Sequence, residues 1–406
     1  MTSPTSPTSP ITLADVRRSP NALARHYSRF RVADRLSLTG HSHQAWPDAA
    51  REALLEAFDD AAQEVDGKWE RAFAKAEEVR DGYRRLLGDP GGVLALGANT
   101  HELLIRLLSA LDLRKRPRLV TTDGEFHTVR RQLTRLGEAG LEIVRVPSAP
   151  VRTLAERLAA EATPGTAAVL VSRVLFESAR IVPDLGALAA ACVRNDVELV
   201  VDAYHALGVV PTPVHDLGLD TAWVLGGGYK YLQLGEGNCV LRLPSHADRF
   251  RPVVTGWFAE FGDLDRERAT GRVGYAPGAE RFAGATYDPT SHYRAARVFR
   301  FFAEHGLDSP LLREISWHQV GLLADRFDSL DLPEREIVRD RETPPAGIGG
   351  FLALRCRDAA GVRRALAERG VRTDSRGEYL RLGPAPYLSD RQLESAMDAL
   401  GEVIRS

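Results

Sequence analysis

Apolar residues recur at three- and four-residue spacing from about Pro47 to Leu87, through PDAAREALLEAFDDAAQEV and ERAFAKAEEVRDGYRRLL, and this period predicts helix. GDPGG breaks the pattern, and VLALG (93–97) reads as a short buried strand. The rhythm then changes to short β-rich runs: RLVTTD (118–123), EIVRVP (142–147), AAVLVSRV (167–174), VELVVDA (197–203), TAWVLGG (221–227) and CVLRLP (239–244). Amphipathic helices such as HTVRRQLTRLGEAG and LGALAAACVRND lie between several of them. Near-continuous apolar strands are buried on both faces, so the pattern predicts an α/β protein with a mostly parallel sheet wrapped by helices. After about Pro289 a long helical stretch, SHYRAARVFRFFAEHG onward to RFDSL, precedes a small βαβ-like unit in which GGFLALRC and YLRLGPAPY flank the helix AAGVRRALAERG. The expected organisation is a large domain over 61–289, a small α+β C-terminal domain over 290–406, and an N-terminal segment, 11–60, packing near the functional site and the small domain. MTSPTSPTSP, a Ser/Thr/Pro repeat that cannot pack a core, reads as a disordered tail over residues 1–10.

Charge removes several classes of partner. The 406 residues carry 53 basic and 55 acidic side chains, a net charge of −2, so no basic surplus points to nucleic acid or an anionic membrane. No apolar run reaches the length of a membrane span. The N-terminus lacks the basic and apolar regions of a signal peptide, so a cytoplasmic location is expected. Cys192, Cys239 and Cys356 are odd in number, far apart and in apolar settings, which fits buried thiols better than disulfides or a metal cage, and no metal is expected. Lysine usage is more informative. In an arginine-rich chain the lysines are Lys68, Lys75, Lys115 and Lys230; the first three sit among other charges, whereas Lys230 is set between tyrosines in GGGYKYLQLGEG.

Ligands of a parallel sheet bind beyond the carboxyl ends of its strands. After the first strand, GANTHE (97–102) opens the helix HELLIRLLSAL, where Asn99 and Thr100 suit an anionic phosphate or simply cap the helix. After RLVTTD, Phe126 and His127 lie at a strand-to-helix turn, where either can lie flat on a planar ring, or Phe126 can anchor the turn in the core. After VELVV, Asp202 ends a run of pure hydrophobics with His205 three residues on. A carboxylate there needs a cationic or hydrogen-bonding partner; the alternative is a helix N-cap. After TAWVL come the glycines and Lys230. A nucleotide P-loop requires G-x-x-x-x-G-K-[ST], but Tyr229 precedes this lysine and Tyr231 follows it, and no G-x-G-x-x-G follows a first strand. A phosphate cradle, an aromatic, a buried aspartate and a lysine at successive strand ends are what pyridoxal 5′-phosphate (PLP) requires. The lysine forms a Schiff base with its aldehyde, and the aspartate keeps the pyridine nitrogen protonated. Arginine stays charged and cannot take the lysine's place.

The same motifs resemble a family. DAYHALG resembles the Asp-x-x-His-x-x-Gly of fold-type I PLP enzymes of the class V aminotransferase group, and GGYKYL their Tyr-Lys-Tyr lysine motif. TGWF resembles their Gly-Trp-Phe segment, and YLRLGPAPYL the C-terminal Leu-Arg-hydrophobic-x-Pro-x-Pro-hydrophobic-Tyr segment. Within the group the chain is most similar to kynureninase, from about Leu36 to the C-terminus. The resemblance implies the fold-type I PLP-dependent transferase architecture, an amino-acid substrate and a homodimer with composite active sites. It implies Lys230 as the Schiff-base lysine and acid/base, Asp202 as the partner of the pyridinium nitrogen with His205 nearby, and Phe126 stacked on the ring. Asn99, Thr100 and Tyr229 would contact the phosphate, and Trp257 and Thr286 would reach the site across the dimer interface. Arg381 would clamp the substrate α-carboxylate in a bidentate pair. The implied reaction is hydrolytic Cβ–Cγ cleavage by way of an external aldimine, a quinonoid and a ketimine.

Two segments depart from the kynureninase pattern. Where that family often reads Asn-Tyr-Arg-Ser/Thr-Gly, this chain has LFESA (175–179), with Leu175 and Glu177 replacing polar and basic groups. The family's N-terminal Gly-Asn-Ser-Leu-Gly becomes GHSHQAWP (40–47), where His41 and His43 line the substrate pocket or cap the helix beginning at Pro47. The substrate therefore stays open, and a specialised pathway is compatible with these changes. The alternatives are a carbon–sulfur β-lyase acting on an S-substituted cysteine and a class V aminotransferase. A cysteine desulfurase would need a mobile cysteine, and Cys356 follows a strand-like run. The lysine, aspartate and arginine candidates argue against a non-catalytic binding protein of the same fold.

Overall fold

Each β-rich run of the large domain is a strand of one seven-stranded sheet. In chain order these are β1 (Val93–Gly97), β2 (Arg118–Thr122), β3 (Glu142–Val146), β4 (Thr166–Ser172), β5 (Glu198–Asp202), β6 (Trp223–Gly227) and β7 (Cys239–Leu243). The computed structural model describes residues 10–265 and 271–406, so the tail, apart from Pro10, lies outside the described residues. The spatial order is β1-β7-β6-β5-β4-β2-β3. β7 runs antiparallel to its neighbours β1 and β6, and the remaining neighbours are parallel.

Every residue of β4 is buried. Val169 and Val171 enter the core on one face, while Ala168 and Leu170 enter the core on the other. Strands covered on both faces carry apolar residues continuously, and the alternation of side chains decides only which core each one joins. This is why β4 is legible as a nearly continuous apolar run.

Helices α1 (Ala49–Gln63) and α2 (Lys68–Leu86) precede the sheet, and α3 (Thr100–Ala110) and α4 (His127–Glu138) begin just beyond β1 and β2. Their N-termini therefore stand at the carboxyl edge of the sheet. α5 (Thr290–Glu304) packs on α1 and α2. At that crossing Gly82 lies against the Phe299 ring, and Tyr293 is buried among Ala53, Ala57 and Ala72 with its hydroxyl donating to Asp60 (2.8 Å).

The C-terminal sheet corrects one expectation. It has four strands, β8 (Ile337–Arg339), β9 (Leu352–Cys356), β10 (Asp374–Arg376) and β11 (Tyr379–Leu382), in the order β10-β11-β9-β8, all antiparallel. The unit is thus not βαβ-like, because β9 and β11 pair antiparallel across the helix α6 (Ala359–Glu368) that lies between them in the chain. β10 is short and polar and gives no apolar signal. It reverses into β11 at Gly377, whose φ of +52° suits glycine.

The N-terminal segment lies against this small sheet. Leu36–Ser37 pairs in parallel with Val371–Arg372. The Gly40 N–H donates to the Gly383 carbonyl (2.8 Å) and the Gly383 N–H to the Leu38 carbonyl (2.7 Å), which carries His41 and His43 over the end of β11. Among the described residues no helix is long and apolar enough to cross a membrane.

Candidate active site

The lysine loop begins where β6 ends. A Cβ on Gly227 would run into the Tyr204 ring and the Cys239 sulfur, so glycine lets the strand pass close to both. Residues 228–238 fold back on themselves, with the Gly228 N–H donating to Asn238 O (3.0 Å) and the Leu234 N–H to Gly228 O (2.9 Å). Helices hold the loop from behind: Tyr83 of α2 donates to Asn238 O (2.7 Å) and Arg294 of α5 to Leu234 O (2.7 Å). Buried Gln233 accepts from the Tyr27 hydroxyl (2.5 Å) and donates to Gln44 Oε1 (2.9 Å), tying the N-terminal segment to the same loop. Lys230 is thus carried on a backbone fixed from several sides.

Its side chain is only 4% exposed. Nζ lies 2.9 Å from His205 Nε2, and 4.6, 5.0 and 5.6 Å from the ring centres of Tyr204, Phe126 and Tyr229. Burial pulls the amine down to about 7, against the opposing charge of Asp202. Asp202 ends β5, and its Oδ1 accepts the Tyr204 N–H (2.8 Å). Burial raises the pKa of its carboxyl, while that N–H and Lys230 act the other way. Burial, and then the charge of Lys230, hold His205 well below the usual histidine range, so its imidazole is neutral.

These groups face a cavity of about 250 Å³ that is lined as well by Ala98 to His101 at the start of α3. The Asn99 side chain caps that helix: Oδ1 accepts the Glu102 N–H (2.9 Å) and Nδ2 donates to Glu102 Oε1 (3.1 Å). The first N–H groups of the helix have no carbonyl of their own to bond. An amine, a carboxylate, aromatic faces and a helix N-terminus thus share one cavity at the carboxyl edge of the sheet.

The overall fold matches solved structures closely. A C-DES variant with glycine covalently linked to its PLP cofactor superposes with a TM-score of 0.81 at 16% identity, covering 93% of this chain and 98% of that one. An apo cysteine desulfurase from Thermococcus onnurineus NA1 gives 0.80 at 18% identity, covering 95% and 98%. The chain has the fold of the fold-type I PLP enzymes. Its sequence is similar to an uncharacterised aminotransferase of Bacillus subtilis (strain 168), 23% identical over 371 residues, which are 89% of this chain and 95% of that one. It is also similar to the kynureninases of Geobacillus thermodenitrificans, at 24% identity over 82% of this chain and 79% of that one, and of Xanthomonas euvesicatoria, at 27% over 87% of each. The kynureninase resemblance read from the motifs is borne out. No protein-family model matches the chain.

Within this fold-type I frame, Lys230, Asp202, His205, Phe126, Tyr229, Asn99 and Thr100 line one cavity. His43 stands beside it, stacked on Tyr229 (4.8 Å, 20°) and 3.6 Å from Glu236. His41 does not reach it; fully buried, it lies against Phe351 (4.7 Å) and 3.7 Å from Asp374. Thr286 lines a second, larger cavity of about 940 Å³, which meets the first at Ala98, Glu236 and Gly237. Trp257 is 45% exposed and packs on Phe258 and Phe261 of that neighbouring face. Arg381 is buried, with Nη1 donating to the Phe176 carbonyl (2.5 Å) and Nη2 paired with Asp374.

Several residues of the site escaped the sequence reading. Tyr204 sits inside the DAYHALG motif, yet its contact with Lys230 depends on the path of the chain past Gly227. Phe176 lies between the two residues singled out in LFESA, and its ring stands 5.4 Å from Phe126 and 6.4 Å from His205. In the same segment Leu175 is buried, Glu177 is exposed, and Ala179 takes a φ of +61° where the kynureninase pattern has glycine. Glu125 is buried and accepts from Thr122 Oγ1 (2.7 Å), the Ser172 N–H (3.1 Å) and Ser172 Oγ (2.5 Å), joining the ends of β2 and β4. Burial pushes its carboxyl up to about 7, with Asp202 adding to the rise and the hydrogen bonds opposing it.

Proposed function

We propose that this protein is a PLP-dependent enzyme acting on an amino acid, with PLP held on Lys230, and that its reaction is kynureninase-like hydrolytic cleavage of a Cβ–Cγ bond. The observation that carries the cofactor reading is Lys230 itself, a buried amine held near 7 in a cavity also lined by a carboxylate and a helix N-terminus. The donor set fits the cofactor group by group. Lys230 would take the aldehyde, Asp202 the protonated ring nitrogen, and Phe126 a ring face, while the first N–H groups of α3 at Thr100, with Tyr229, would take the phosphate.

When bound, PLP supplies a conjugated electron sink for negative charge at the substrate Cα. The chain's own residues do the rest. Lys230, largely free to lose its proton at neutral pH, is the nucleophile and then the base and acid that moves a proton at Cα. Neutral His205 holds the amine by a hydrogen bond without repelling it. The rings of Phe126 and Tyr204 lie against the amine and keep bulk water from it. Arg381 receives the substrate α-carboxylate.

We infer that the face beside the larger cavity is the interface of a homodimer. Phe261, Trp257, Val254 and Leu264 are exposed there or close by, an apolar surface of the kind that marks a partner site. By the family resemblance, Trp257 and Thr286 on this face of one subunit would complete the cavity of the other.

Similarity to kynureninases over most of both chains supports the hydrolytic reading. Desulfuration fits the cysteines poorly. Cys239 reaches the cavity wall, but burial pushes its thiol up to about 12, and Cys192 and Cys356 are buried elsewhere. Incubating the PLP-loaded protein with L-kynurenine, 3-hydroxykynurenine and S-substituted cysteines tests the reaction. Anthranilate or hydroxyanthranilate with alanine is the expected result. Pyruvate with a thiol, or a stoichiometric demand for a keto acid, would replace the hydrolase reading with a lyase or an aminotransferase.

A further inference from the structure

Arg381 is not a free guanidinium awaiting a carboxylate. It stands on β11 directly opposite Asp374 of β10 in the antiparallel register, and its Nη2 is already paired with that carboxylate. Nη1 is held by the Phe176 carbonyl (2.5 Å). Nε is buried and finds no partner among the described residues. A buried, unpartnered charged donor costs free energy that a ligand oxygen would recover. The pairing therefore fixes the guanidinium plane and leaves buried Nε as the donor still without a partner.

Asp374 is itself tightly held. Its Oδ1 accepts from Arg376 Nη1 (3.0 Å) and from the Ser375 N–H (2.7 Å), and buried His41 stands 3.7 Å from its Oδ2. His41 is neutral, because burial lowers it to about 4. Two arginines against one aspartate leave one positive charge, enough to balance a single carboxylate. Phe176 links this cluster to the amine: its carbonyl holds Arg381 while its ring packs near Phe126 and His205. The charges of Arg381 and Arg376 are both felt at Lys230.

We propose that Asp374 is the positioning residue that holds Arg381 in place to receive the α-carboxylate of an amino-acid substrate, with Arg376 supplying the positive charge that lets this carboxylate bind beside an arginine already paired. The proposal rests on the PLP reading above. It differs from simple electrostatics in sign. If charge alone governed the site, removing the Asp374 carboxylate would strengthen carboxylate binding; if Asp374 positions Arg381, removing it weakens that binding.

Glycine and methylamine separate the two, because they share an amine and differ in the carboxylate. The PLP-loaded protein is titrated with each, following the visible absorption band, and the ratio of the methylamine Kd to the glycine Kd reads carboxylate recognition alone. Asp374→Asn should lower that ratio by about tenfold or more, the scale of a lost charge-assisted hydrogen bond, with the methylamine Kd unchanged. Arg376→Gln should lower it by a smaller factor. If Asp374→Asn does not yield folded protein, Asp374→Ser removes the same carboxylate and carries the same prediction. A ratio that is unchanged or larger in the Asp374 variant overturns the proposal. A wild-type protein with no visible band on adding PLP overturns the cofactor reading, and this proposal with it.

Discussion

Opposing influences meet at the Lys230 amine. Burial strips water from the ammonium form, while Asp202 favours that form; burial prevails, and the amine is held near 7. An exposed lysine, with a pKa of roughly 10.4, is almost wholly protonated at neutral pH and a poor nucleophile. Only the free base attacks an aldehyde, so the sign is fixed. The rate of PLP attachment to the cofactor-free protein should rise as pH is raised through about 7 and level off above it. Stopped-flow absorbance measures this directly, and a rate that keeps climbing toward the range of an exposed lysine would show that the amine is not desolvated. The left-handed backbone at Ala179 is a residue-scale feature of another kind, since it stands where glycine is the more permissive choice. Nothing else in the structure explains why alanine is used there.

Helices hold the loop that holds the lysine, and one contact between them is exacting. Gly82 of α2 faces the Phe299 ring of α5, and a Cβ there would overlap the ring. Tyr83, the next residue, donates to the Asn238 carbonyl of the lysine loop. Gly82→Ala should therefore cost about 1–3 kcal/mol of overpacking. It should lower the Tm of the cofactor-free protein and weaken PLP retention, both readable by thermal unfolding and dialysis. An unchanged Tm would mean that the helices can separate freely. The elements differ in how far the sequence reveals them. All seven strands of the large sheet were legible as β-rich runs, and β4, buried on both faces, is a nearly continuous apolar one; the edge strands β1 and β3 are only partly buried. β10 was not, since Asp374-Ser-Arg376 is short and polar and becomes a strand only by pairing with β11. The partnership of Asp374 with Arg381 was hidden for the same reason: it depends on register. At the other extreme, Lys230, Asp202 and His205 could be found because each stands next to a strand end that the apolar pattern locates.

At the scale of the whole molecule, two cavities meet at Ala98, Glu236 and Gly237, and the larger one lies on a face with exposed aromatic residues. If that face binds a second copy, sedimentation should give about twice the mass of one chain. Phe261→Asp should then yield a monomer that binds PLP more weakly, because Trp257 and Thr286 of the partner would be lost; a wild-type monomer with full PLP affinity would contradict the composite site. The proposed chemistry depends on which amine carries the cofactor. The chain has only four lysines, Lys68, Lys75, Lys115 and Lys230, so the question has a clean answer. The deciding measurement is to load the protein with PLP, reduce it with borohydride, digest it and locate the phosphopyridoxyl group by mass spectrometry. The expected result is loss of the visible band on reduction, the group on the Lys230 peptide, and neither band nor group in Lys230→Ala. A group on Lys68, Lys75 or Lys115, or a band that survives in Lys230→Ala, would contradict it.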